Sequence, residues 1–225
     1  TVLSRGLGDV YKRQNLLWLI DPLDTDRDSL WEAKQTLAIT RETGLFDLLF
    51  HHGVRLNRDM VLDAQCAPIV LNAGPMGNQR NMQMFNWYFA PVVLAGPDAH
   101  PICANLDPVH FDFTSSLDPV NALDGRESRV LLESSVRSVI YNAPVRVASG
   151  VVNLPPEHFE TGRTEGYPLA VLLEGRFESF YALRLNAQLK DDPDFAFRES
   201  TDSGRMIVVS DADFIRNNTR AVEGG

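Results

Sequence analysis

Five carboxylates sit where short apolar runs end. Asp21 follows LLWLI, Glu133 follows VLL, Glu174 follows LAVLL, and Asp211 and Asp213 follow MIVVS. In open α/β sheets, ligands bind in the crevice beyond the carboxyl ends of the strands. Acids that converge there can hold a cation or a polar solute, which makes Asp21, Glu174, Asp211 and Asp213 the candidate binding residues. The same groups can instead close turns and cap helices.

Other residue types offer less chemistry. Cys66 and Cys103 form no C-x-x-C, so they are neither a disulfide framework nor a zinc site. A cysteine nucleophile needs a tight turn with small neighbours and a nearby histidine base. Gln65 and Ile102 precede the two cysteines, so that turn is not signalled. His51 and His52 are adjacent and diverge on a helix, which makes a poor chelate. Asp24, Asp26 and Asp28 imitate the start of a calcium loop. Ser29 stands where its glycine belongs, and Gln35 where its bidentate glutamate belongs. The phosphate-binding GxxxxGK[ST], the GxSxG nucleophile elbow and HExxH are all absent. The expectation is therefore no catalytic residue, no metal and no cofactor: a binding or interaction protein rather than an enzyme.

These candidates need elements to position them. The run 16–20, ended by Asp21-Pro22, reads as a strand buried on both faces, as in a parallel sheet. Ser29 to Glu32 fits the capping-box pattern and predicts a helix from about Leu30 to before Gly44. Residues 45–52 read as a short amphipathic helix stopped by Gly53. Runs at 67–71, 87–94, 130–133, 169–174 and 206–210 read as strands, and Val109, Phe111 and Phe113 alternate as in a half-buried strand. The Gly-, Asn-, Gln- and Met-rich stretch 72–84 reads as a loop. Together these predict an α/β fold, Rossmann-like in the broad sense: a mostly parallel sheet flanked by helices, with some antiparallel strands added over 109–152.

Composition bounds the partners. With 30 acidic against 21 basic residues, the net charge of -9 leaves no basic footprint for nucleic acid. No apolar run reaches the ~18 residues of a membrane span. Residues 1–14 end in DVYKRQ, which resembles a translated sequencing adapter, so they are expected to be an artefact. Residues 15–225 are then expected to be one soluble α/β domain, a fragment of a longer membrane-anchored protein.

Several segments in order carry a resemblance: 15–22 (NLLWLIDP), 28–30 (DSL), 48–57 (LLFHHGVRLN), 63–68 (DAQCAP), 100–102 (HPI), 169–175 (LAVLLEG) and 205–217 (RMIVVSDADFIRN). Together they resemble the gliding-motility-associated ABC-transporter auxiliary, or substrate-binding, protein family. The resemblance implies an amidotransferase-like α/β domain without the catalytic cysteine. It also implies an ABC permease subunit and an ATP-binding subunit as partners. The implied location is the bacterial inner membrane, reached through flanking segments absent from this chain, with the domain on the periplasmic side. Trp87, Tyr88 and Phe89, if exposed, would give such a partner an aromatic anchor. Two alternatives stay open: a solute-binding domain with its pocket at the strand ends, and a cryptic amidase or hydrolase of amidotransferase-like fold.

Overall fold

The computed structural model describes residues 15–25, 35–76, 79–96, 99–120, 125–192 and 197–215. The capping box at Ser29, Asp26 and Asp28 and the adapter-like residues 1–14 lie outside them.

The centre is a four-stranded sheet. It contains β1 (Leu16–Leu19), β10 (Arg126–Glu133), β13 (Pro168–Glu178) and β14 (Ser200–Val209), in the order β1-β14-β13-β10. Among the described pairings only β1 with β14 is parallel, with Leu16 opposite Met206 and Leu19 opposite Val209. β13 runs antiparallel to both of its neighbours. Leu169 through Leu173 are buried without a break. Val171 and Leu173 pack into one apolar cluster with Phe177, Met206 and Val208, while Leu169 and Leu172 pack into another with Phe111, Leu131 and Val209. Both faces of the strand are covered, so period two disappears from its sequence.

Smaller antiparallel sheets cover the centre. β4 (Val54–Leu56) pairs with β9 (Leu117–Pro119), and β5 (Asp59–Asp63) pairs with β11 (Ser138–Asn142). β2 (Leu23–Asp24), β3 (Gln35–Thr40) and β12 (Val145–Ala148) form a third sheet. β6 (Cys66–Met76), β7 (Gln79–Val93) and β8 (Val109–His110) form a fourth. β5 is buried along its whole length, because Met60 and Leu62 enter one cluster and Val61 another. One short helix, α1 (Phe46–His51), lays Leu48 and Leu49 onto the central sheet. A second, α2 (Ala187–Lys190), is capped by Asn186, whose side chain accepts from the Leu189 amide.

The expected α/β, Rossmann-like or amidotransferase-like, mostly parallel sheet flanked by helices is therefore overturned. The fold is mostly strands, in several small antiparallel sheets. Continuous apolar runs mark strands covered on both faces, and here other sheets, together with the short helix α1, do the covering that long helices do in parallel folds. The helix expected to run up to Gly44 is replaced over 35–40 by β3, whose Ala38 is fully buried opposite Val145. Cross-strand pairing outweighs a local capping signal. The loop expected at 72–84 is instead the outer part of a long hairpin, with Asn72 opposite Met82. The strands at 16–19 and 130–133 and the amphipathic helix ending before Gly53 (φ 100°) stand as the sequence reads. Leu17, however, is exposed at the sheet edge rather than buried.

Candidate functional site

The strand-end acids divide between opposite ends of the central sheet. β1 and β14 are parallel, so the residues after them, Asp21 and Asp211, lie together. β13 runs the other way, so Glu174 lies inside β13 toward the far end, opposite Arg205 and six positions back along the chain from Asp211, with a 2.8 Å ion pair between Glu174 and Arg205. A pocket lined by Asp21, Glu174 and Asp211 is therefore ruled out by topology. Glu133 ends β10 opposite Pro168 and is exposed; burial, then Glu165, raises its pKa.

At the shared end the acids close turns. The Ala212 amide donates to Asp21 Oδ1 at 2.7 Å. Asp211 accepts from the Asp112 amide at one oxygen and from the Asp213 amide at the other, both at 2.7 Å. Burial outweighs those two hydrogen bonds and pushes the Asp211 carboxyl up to about 7, with Asp21 and Asp112 adding repulsion. A carboxyl near neutrality has the range of a general acid or base. This one is 1% exposed and uses both oxygens on its own backbone, so no substrate reaches it. Asp213 is exposed, and its own amide goes to Asp211. Arg41 lies alongside, ion-paired to Asp24 at 2.7 Å. Among the described residues no group of three or more His, Cys, Asp or Glu is placed to hold a metal ion.

Two further buried carboxylates lock loops onto β5. Asp59 accepts from the Ser116 amide at 2.7 Å and from its hydroxyl at 2.6 Å. Asp63 accepts from the amides of Gln65 and Ser135 and from the Ser135 hydroxyl. Burial raises both pKa values against these hydrogen bonds. An acid-serine pairing across ~60 residues leaves no local pattern, so the sequence does not announce it. Asp59 and Ser116 floor an open cleft of about 650 Å³ whose walls include Phe46, Phe50, Arg55 and Arg58. Arg58 lies 4.6 Å over Phe46 and Arg55 lies 5.3 Å over Phe50.

The thiols are suppressed. Cys66 is half-buried, and burial together with Asp63 pushes it up to about 11; burial also raises Cys103. The thiolate is the nucleophile, and both environments disfavour it. Histidines are committed elsewhere. His51 Nε2 lies 3.4 Å from the Glu178 carbonyl oxygen, His158 pairs with the Tyr141 hydroxyl at 2.8 Å, and the His100 ring accepts from the Ile102 amide. His52 is fully buried, edge-on to Phe177 at 5.8 Å.

Trp87, Tyr88 and Phe89 are core residues, at 3%, 8% and 1% exposure, so they form no exposed aromatic anchor. Their strand is covered on both faces, with Trp87 against Phe113 and Tyr88 against Phe159. The exposed apolar groups lie further out on the same hairpin, at Val70, Met82 and Met84. A sequence signal for them exists in charge rather than hydropathy. Across residues 64–97, Arg80 is the single charged side chain, where the chain's 23% charged fraction would place about eight.

The family model described as ABC-type uncharacterized transport system matches residues 10–225. Neither a curated protein nor a solved structure matches the chain. No described helix is long and apolar enough to cross a membrane.

Proposed function

Because the chain belongs to the auxiliary family of the ABC-type uncharacterized transport system, we propose that it works by assembling with the transporter's other subunits rather than by catalysis or solute capture. The observation that carries this reading is the use made of the strand-end acids. Asp21 and Asp211 close turns on their own backbone, and Glu174 pairs with Arg205 at the opposite end of the sheet. A solute site needs polar groups that converge on an accessible cavity, and a cysteine hydrolase needs an activated thiol. Neither arrangement is supported by these environments.

The partners in this reading are a permease subunit and an ATP-binding subunit. The gliding-motility branch is its finer form, supported by the ordered segments from Asn15 to Asn217. The location that goes with it is the periplasmic face of the inner membrane.

Affinity purification of the full-length protein from its own membranes in mild detergent, with mass spectrometry of what accompanies it, tests the reading. Stoichiometric recovery of an ATP-binding cassette subunit and a permease is the expected result. Recovery of the folded protein alone overturns it.

A further inference from the structure

The β6–β7 hairpin projects a face that none of the described residues covers. Pro68 stands opposite Asn86, Val70 opposite Met84 and Asn72 opposite Met82, so these six side chains share one face of the two-stranded ribbon. All six are exposed, with Val70 at 41%, Met82 at 55% and Met84 at 69%. The other face is different. Ile69, Leu71 and Phe85 are partly buried, and Ile69 packs against the cluster that holds Trp87 and Phe89. The backbone is built to limit uncontrolled pairing at the β6 edge. Prolines stand at 68 and 75, and the register shifts between Asn72 and Pro75. Such features blunt an open edge.

Charge gives the second observation. An exposed ribbon on a chain of net charge -9 would ordinarily carry acids, and this one is uncharged across its described exposed face. Depletion of charge, with methionine in its place, marks the core of a protein interface. We propose, on the footing of the assembly role above, that this face docks an uncharged surface of a transporter subunit, one lined by apolar and amide groups. The apolar part meets Val70, Met82 and Met84, and the amide part meets Asn72 and Asn86.

Size and polarity separate this occupant from others. The face formed by these six residues is roughly 17 Å long and 10 Å wide at ~3.4 Å per residue and ~4.8 Å per strand. Two copies laid face to face would bury about 340 Å² in all, below the ~1,000 Å² of a specific interface. To reach that area a partner must extend past this face onto its rim. Asn72 Oδ1 already accepts from the Gly74 amide, but hydrocarbon would leave the Asn72 NH2 group and the Asn86 amide without partners, a cost protein surfaces avoid.

The test uses the full-length protein in its membrane. Val70→Glu, Met82→Glu and Met84→Glu are compared with Leu183→Glu, a fully exposed site away from the ribbon (99% exposed). Co-purification of transporter subunits is expected to fall at least tenfold in each ribbon variant and to stay unchanged in the Leu183 control. Circular dichroism melts should match wild type, because the substituted side chains are already in solvent. If wild type recovers no transporter subunit, the assembly reading itself fails. If wild type and ribbon variants recover them equally, this docking face is wrong and the assembly reading survives. A concentration-dependent dimer in light scattering, or flotation with lipid vesicles, abolished by the same variants would overturn the proposed occupant in favour of a second copy or a bilayer.

Discussion

Two buried groups are set to oppose each other in the pH dependence of stability. His52 is fully buried and neither ring nitrogen has a hydrogen-bond partner. Burial, followed by the nearby His51 and Arg126, lowers its pKa from 6.5 to about 3. Between those values the unfolded chain takes up a proton that the fold refuses. Stability from this residue is thus present above pH 6.5 and lost as pH falls toward 3. Asp211 behaves in the opposite sense. Its value rises from 3.8 to about 7, so the fold holds a proton that the unfolded chain has released. Its contribution is complete below pH 3.8 and is lost as pH rises through 7. Each effect amounts to about 1.4 kcal/mol per pH unit where it operates, and from about pH 4 to 6.5 the two slopes cancel. Urea unfolding of wild type, His52→Leu and Asp211→Asn at pH 4.5 and 6.5 resolves them. Other buried acids, Asp59 and Asp63 among them, drop out of each variant-minus-wild-type difference. For His52→Leu, that difference should move in the variant's favour by about 2 kcal/mol on going from pH 6.5 to 4.5. For Asp211→Asn it should move by a similar amount the other way. Differences that stay within about 0.5 kcal/mol between the two pH values, a spread typical of an inert surface substitution, would refute the buried-neutral account of both residues.

Gly175 has φ of 120°, and an added Cβ would run into the Gly125 carbonyl oxygen. Gly175→Ala should cost about 2–4 kcal/mol in denaturant unfolding, whereas Gly150→Ala, with open space around it, should cost under about 0.5 kcal/mol. Asp63→Ala should cost about 3 kcal/mol by the same measurement, because the Ser135 and Gln65 amides lose their buried acceptor. Glu174→Ala, which breaks a mostly exposed pair with Arg205, should cost less than about 1 kcal/mol.

Much of the local structure is legible from residue pattern. The five-residue apolar run ending at Leu173 had to be a strand covered on both faces, and Leu48, Leu49 and Gly53 had to form a stopped amphipathic helix. Charge balance set aside nucleic acid, and the ordered segments from Asn15 to Asn217 pointed to the transporter auxiliary family, which the match over residues 10–225 bears out. What covers a buried strand is not written in that strand. Leu169 to Leu173 read the same under helices as under other sheets, so the sheet's direction waited on the pairing of β13 with β10 and β14. Direction in turn decided the candidate site, since antiparallel neighbours put Asp211 and Glu174 at opposite ends. Pairing also overrode composition in the hairpin, where Asn72 and Met82 look like loop residues in isolation and become strand residues opposite each other. Residue type made Trp87 to Phe89 an aromatic anchor if exposed, yet whether they are exposed depends on which strands pack over them. The sequence by itself determined which segments are apolar, which is a local property of side chains. The tertiary structure alone decided which of those segments face one another, because that depends on contacts between residues tens to hundreds of positions apart.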